Sequence, residues 1–300
     1  MPIRIVVSIY RKAGLMKARR KSSLNCLFLG LLLCLFSCGC GGPSYFLASY
    51  EREISSSTEA IASARDDAQR AAAYSSRGAA YSEKARYSRA MKLISSDEYV
   101  RLFDLAIKDH DQAILLDSGS AKVYFGRGVA YYDRANLEVV VNGSLVGNSE
   151  TWHRWFDPAI SDFRMATEKD PKDSLAWDRF GLSHETIGEL DQAIDDYTHE
   201  MAVDRKLGRS RLAEVYCQRG NSNHKDKKYD AAIADYEESI DKGAIDDGCS
   251  CDPYNPLFAL YTEQRRYDQG WVVVRRALSH GKWLAPEMLD RLRKESGRSN

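Results

Sequence analysis

The chain has 300 residues, 29% of them charged and 44% hydrophobic, with 43 basic residues balancing 43 acidic ones, which is ordinary soluble globular material. The balance is uneven along the chain: residues 1–37 hold seven basic and no acidic residues, which leaves 36 basic against 43 acidic in the remainder. No basic face with interleaved aromatic residues stands out, so the footprint of a nucleic-acid binder is missing.

In chain order, the first feature is a cationic stretch, Lys17, Arg19, Arg20 and Lys21, ahead of a largely apolar run from Leu24 to Phe36. The run falls short of the roughly 20 apolar residues that a spanning helix needs, and Asn25 interrupts it, so it reads as a secretory signal over 1–37 rather than an uncleaved membrane helix. Its ending, Leu35-Phe36-Ser37-Cys38, resembles the lipobox of bacterial lipoproteins. That resemblance implies lipidation of Cys38 as the first mature residue, with Met16 giving a more typical signal length than Met1. Gly39 in the next position, where an Asp would retain the product in the inner membrane, implies the periplasmic side of the outer membrane. Residues 38–49, opening Gly39-Cys40-Gly41-Gly42-Pro43, are expected to be a flexible tether.

Next comes an Ala/Ser-rich helix expected over Tyr50–Arg70, and then a phrase that recurs four times: an aromatic residue with Gly four residues later. It reads Tyr74 and Gly78, Tyr124 and Gly128, Trp177 and Gly181, Tyr216 and Gly220. Each phrase is answered downstream by Ala, then an aromatic residue or His four residues on: Ala106 and His110, Ala159 and Phe163, Ala193 and Tyr197, Ala232 and Tyr236. Spacings of three and four share one helical face, and small residues let two antiparallel helices approach closely while rings plug the gaps. The chain therefore resembles the tetratricopeptide repeat family, on Trp177, Gly181, Gly188, Ala193 and Tyr197 of the third repeat and on Asp170-Pro171 closing the second. The resemblance implies an all-α solenoid of antiparallel helix pairs over 50–297. Its repeats fall at about 71–118, 121–171, 174–205, 213–244 and 251–284, with a capping helix at 285–296.

Departures from the pattern carry their own expectations. The third and fourth repeats place 12 residues between Gly and Ala, whereas the first two place 28 and 31. In the first, Ala85–Leu105 is rich in helix formers and is expected to lengthen both helices, with Ser96-Asp97 as a cap. In the second, the β-branched run Val139-Val140-Val141 and the Asn142-Gly143 turn signal point to a short hairpin within 133–157. The fifth unit has Phe258 where Gly is expected, as suits a terminal repeat.

Of seven cysteines, Cys26 and Cys34 leave with the signal and Cys38 is lipidated. In an oxidising compartment Cys217 pairs with Cys249 or Cys251, and free or partly buried thiols are the equal alternative. Cys249-Ser250-Cys251 lacks the spacing of a zinc site, so no metal and no cofactor are expected. His184-Glu185 lacks a second His at Gly188, and no phosphate loop or nucleophile elbow occurs. Acidic pairs such as Asp195-Asp196 and Glu237-Glu238 read as solvated helix faces. Arg77, Arg127 and Arg219, each beside its Gly, read as stacking on neighbouring Tyr rings.

In the family it resembles, the concave surface is lined by the first helix of each repeat. The positions implied here are Phe125, Val129 and Tyr132; Asp178, Arg179, Leu182 and Glu185; and Cys217, Gln218, Asn221 and His224. Such a groove suits an extended peptide or a helix of another protein. Trp152, Trp155 and Phe156 form a second aromatic patch, a docking site or packing beneath the insert. The expected function is a non-enzymatic, membrane-anchored scaffold that binds a protein or peptide partner, an adaptor for cell-wall enzymes or an assembly factor for a pilus or secretion system. The alternatives are a self-assembling structural lipoprotein and an enzyme with Glu150, His153 and Asp157 converging in a deep pocket.

Overall fold

A computed structural model describes residues 43–141, 144–145, 149–243, 251–282 and 284–297. Cys38, Cys40, the signal run, Cys249 and the Asn142-Gly143 turn lie outside the described residues. The chain divides into two compact units, 1–48 and 49–300.

Helix α1 runs Pro43–Ser63. Helical backbone thus begins inside the segment expected as a tether, and it stops before the expected Arg70, because Asp66 opens a new helix by accepting from Gln69 N. Five antiparallel pairs follow: α2 Asp67–Ala90 with α3 Ser96–Leu116, α4 Ala121–Val139 with α5 Ser149–Lys169, α6 Ser174–Ile187 with α7 Leu190–Val203, α8 Arg205–Lys225 with α9 Tyr229–Asp241, and α10 Tyr254–Glu263 with α11 Tyr267–Ser279. A final helix, α12 Pro286–Ser296, lays Leu292 onto Gly270. The architecture is an all-α repeat solenoid.

Local chemistry sets the boundaries. Ser95, one residue before the expected cap, accepts from Glu98 N and starts α3. Asp173 Oδ1 accepts from the Leu175 and Ala176 amides, and Asp204 Oδ1 from those of Lys206 and Leu207, satisfying donors that a helix start leaves free. The Asp204 cap starts α8 eight residues ahead of the expected repeat boundary at 213. Gly188 ends α6 at φ 87°, a left-handed conformation that favours glycine. The insert of the second repeat holds two-residue strands, β1 Val140–Val141 and β2 Ser144–Leu145, paired antiparallel with Val140 opposite Leu145.

The joint inside each of the first four pairs is one ring on one glycine. A Cβ on Gly181 would meet Tyr197 Cε1 at 2.5 Å, one on Gly220 would meet Tyr236 Cε1 at 2.7 Å, and one on Gly128 would meet Phe163 Cε1 at 2.9 Å. In the first pair His110 takes the place of the ring and is held between Gly78 and Gly126, a Cβ on either of which would fall within 2.9 Å of it. Both His110 nitrogens are buried without a hydrogen-bond partner, and burial lowers its pKa to about 4, so the ring acts as a neutral, nearly apolar wedge.

In the first, second and fourth pairs a second joint ties the repeat to what precedes it. The Arg77 fork donates to Asp109 through Nε and Nη2, both at 2.7 Å, and its Nη1 reaches Thr58 Oγ1 of α1 at 3.1 Å. Arg127 grips Asp162 at 2.8 and 2.7 Å and Asp111 of α3 at 2.7 Å. Arg219 grips Asp235, at 2.6 Å through Nη2, and Asp191 of α7 at 2.5 Å. The third pair has Phe180 in the arginine position, and there Asp196 instead bonds His184 at 2.7 Å. Bidentate charge-assisted bonds fix both distance and angle, so each Arg sets the spacing within a repeat and between neighbours. Stacking on Tyr74, Tyr124 and Tyr216 is also present, with guanidinium carbons 5.3 to 5.9 Å from the ring centres, but it accompanies the ion pair. Asp196, expected to be solvated, is 6% exposed, and its neighbour Asp195 is the one facing water.

Candidate partner-binding face

Three of the expected groove residues belong to the core: Cys217 is fully buried in the cluster of Tyr236, Tyr254 and Phe258, and Val129 and Tyr132 lie in another. Val129 and Tyr132 are 7% and 9% exposed and pack with Phe156, Phe163, Phe180 and Ile187. The long α5 of the second repeat accounts for this, since its Phe156 meets Tyr132 edge-on with ring centres 5.4 Å apart. The Tyr132 hydroxyl pairs with Thr186 Oγ1 of α6 at 3.0 Å, so this ring ties two repeats and leaves nothing for a partner. Asp178 is also buried and accepts from Arg211 Nε at 2.7 Å.

Three polar positions form a ladder along the first helices. Tyr197 Oη donates to Glu185 Oε2 at 2.6 Å, and Gln218 Nε2 donates to Glu185 Oε1 at 2.6 Å. Tyr236 Oη donates to Asn221 Oδ1 at 2.8 Å, while Asn221 Nδ2 lies 3.3 Å from Cys251 Sγ. Tyr261 donates to Glu237 one step further on. Burial pushes the Tyr197 pKa well up, with the Glu185 carboxylate adding to it, so this hydroxyl stays a donor. The ring that fills the glycine joint thus also holds the carboxylate or amide beside it, and Glu185, Gln218 and Asn221 serve the scaffold before they serve any ligand.

Four positions remain half-buried at the surface: Phe125, Arg179, Leu182 and His224. Phe125 lies 5.9 Å from the Phe163 ring, and Leu182 rests on the same core cluster. Arg179 has no ion pair among the described residues, and its Nε is buried without a partner. Nearby Asp133 is held by Arg86 at 3.2 Å; burial raises its pKa while Arg86 and Arg179 oppose the rise. His224 meets Tyr229 edge-on at 5.9 Å. This face offers two apolar contacts, one uncommitted guanidinium and one imidazole along successive first helices.

The second aromatic patch divides. Phe156 is fully buried and Trp152 packs on its cluster, whereas Trp155 carries the Arg134 guanidinium 4.8 Å above its ring. His153 Nδ1 pairs with Asp157 at 3.0 Å on an exposed helix face, Glu150 is exposed, and none of the three lines the cavity between α3, α4 and α5. His153 and Asp157 pair with each other, but the three do not converge in that cavity.

Cys217 and Cys251, 34 positions apart in sequence, are joined in a disulfide with Cα atoms 6.1 Å apart, stapling α8 to the segment just ahead of α10. Closing a loop of this length restricts the unfolded chain by about 3–4 kcal/mol. Reductant is accordingly expected to lower the denaturation midpoint of the parent chain but not that of Cys251→Ala; a parent midpoint insensitive to reductant counts against the bond. Among the described residues no three His, Cys, Asp or Glu side chains cluster to hold a metal, and no helix is long and apolar enough to cross a membrane.

No protein-family model matches the chain, and no curated protein matches it. Solved structures similar to parts of it include MamA, at 18% identity over 66% of this chain and 94% of that one with a TM-score of 0.38. Others are a thermophilic TPR protein of Thermus thermophilus, at 18% identity over 75% and 93% with a TM-score of 0.37, and BtubC of P. vanneervenii, at 14% over 86% and 92% with a TM-score of 0.41. Superpositions this partial leave the assignment to the chain's own helix pairs, glycine–ring joints and caps, which are those of a tetratricopeptide-repeat-like solenoid.

Proposed function

We propose that the chain is a non-enzymatic scaffold that binds a protein or peptide segment along the first helices of its repeats, anchored to a bacterial envelope membrane through lipid on Cys38. The observation that carries the binding half is the run of Phe125, Arg179, Leu182 and His224: half-buried, on consecutive first helices, and including a cation with no ion pair among the described residues. A partner acidic residue would complete Arg179, and apolar side chains would cover Phe125 and Leu182. A few such central contacts ordinarily dominate binding. The anchoring half rests on the cationic stretch, the short apolar run and Cys38 in the sequence. Periplasmic placement on the outer membrane, and a role beside cell-wall enzymes or in pilus or secretion assembly, belong to this reading.

The test is in-cell crosslinking of the tagged full chain, with membrane fractionation on the same cells. Cys38→Ser is expected to release the chain from the membrane fraction. Phe125→Ala with Arg179→Ala is expected to remove the main crosslinked envelope protein while leaving the thermal midpoint within a few degrees. Retention of Cys38→Ser in the membrane sinks the anchor, and undiminished crosslinking of the double variant sinks the binding face.

A further inference from the structure

A cavity of about 320 Å³ lies between α3, α4 and α5, sharing no residue with the face described above. Its size is at the lower end of small-ligand sites. The α3 wall supplies Asp104, Lys108 and Asp111, spaced three and four apart and so on one helical face. The α4 wall supplies Tyr131 and Arg134, and α5 supplies Arg154, Trp155 and Pro158. Two aromatic residues, Tyr131 and Trp155, thus line it, with Arg134 stacked 4.8 Å from the Trp155 centre.

The charges in this wall are unevenly committed. Asp104 accepts from Arg134 Nε at 2.7 Å, and Asp111 accepts from Arg127 Nη1 at 2.7 Å, so both carboxylates are already neutralised. Lys108 and Arg154 are exposed and have no ion pair among the described residues. With both lining carboxylates paired, the wall is left with two uncommitted cations, Lys108 and Arg154. Two cations match the two oxygens of one carboxylate, and the acidic ends of the Asp104 and Asp111 pairs in the same wall disfavour a more highly charged ligand. Pro158 has no N–H, so the Arg154 carbonyl beside the cavity lacks its usual helical donor.

We propose that this cavity binds a small monocarboxylate with an aromatic or branched apolar body, its carboxylate held by Lys108 and Arg154 and its body laid on Trp155 and Tyr131. The site arises because α5 is extended ahead of its repeat core by the second-repeat insert, which brings Arg154 and Trp155 alongside α3 and α4. It does not depend on the scaffold reading.

The experiment is equilibrium dialysis of the purified full chain against N-acetyl-L-phenylalanine, N-acetyl-L-phenylalaninamide and phenyl phosphate. The carboxylate is expected to bind saturably at one site per chain, with the amide at least tenfold weaker. Lys108→Ala with Arg154→Ala, two exposed changes that break no described contact, is expected to weaken the carboxylate at least tenfold and leave the thermal midpoint unchanged. Trp155→Phe is expected to weaken carboxylate and amide alike, separating the ring from the charge. Absence of saturable binding, equal binding of carboxylate and amide, an unaffected double variant, or tighter binding of phenyl phosphate each overturns the assignment.

Discussion

Replacing Arg127 with Ala is expected to destabilise the chain by about 3 kcal/mol, the largest effect of any single ion-pair change here, because it strands a buried carboxylate. Asp162 is 2% exposed, and Arg127 supplies both of its charge-assisted hydrogen bonds as well as a third bond that ties Asp111 of the preceding repeat. Burial already raises the Asp162 pKa against the pull of Arg127; without the guanidinium the acid must either take up a proton or stay charged in an apolar setting. Arg127→Lys keeps the charge but not the fork, and is expected to lose roughly half as much. Arg127→Met with Asp162→Leu removes both partners together and is expected to recover most of the loss.

Repeat arrays are stabilised largely by each unit and its neighbours, so the damage should be local. Hydrogen exchange is expected to accelerate across α3, α4 and α5 and to change little in α9 to α11. Denaturant midpoints of the four chains check the energies. A loss below about 1 kcal/mol in Arg127→Ala, or additive effects in the double variant, would show that the fork is ornamental.

The parts legible in the sequence are those set by size. Gly181 must be small because Tyr197 lies against it, Ala193 because a helix does, and such demands leave a recurring spacing. The ion-pair joint is less legible, although its signal is present: an Asp stands immediately before each joint residue, at Asp109, Asp162, Asp196 and Asp235. Charged residues on helices usually face water, so these read as solvated until the facing helix is in place. Groove positions depart from the repeat pattern where a local insert changes what covers them. Tyr132 and Glu185 sit at the same register after their glycines, yet α5 buries the first, while Tyr197 and Gln218 bridge the second. Choosing between Cys249 and Cys251 likewise needs the path of the chain into α10, which no periodicity encodes.

Glu200 gives the second large effect, and its sign depends on pH. The side chain is fully buried on α7, both carboxylate oxygens lack a hydrogen-bond partner, and its pKa is raised to about 8 by burial, with Asp178 and Asp204 pushing up and Arg211 pulling down. Arg211 does not offset the burial because its Nε is committed to Asp178. In the unfolded chain the group ionises near the ordinary glutamate value of about 4.3. Keeping it protonated in the fold is therefore free below that pH and increasingly costly above it, so its contribution is present in acid and lost as pH rises to about 8. Glu200→Gln mimics the protonated acid at every pH. The variant is expected to match the parent at about pH 4 and to exceed it by on the order of 2–4 kcal/mol at about pH 8.5, the difference growing between those limits and flattening above. Subtracting one curve from the other cancels His110, which acts in the opposite sense, losing stability as pH falls below its unfolded value of about 6.5. Denaturant midpoints of both proteins at half-unit steps of pH give the difference curve; one that is flat, or falls with pH, means that Glu200 finds water or a partner and ionises in place.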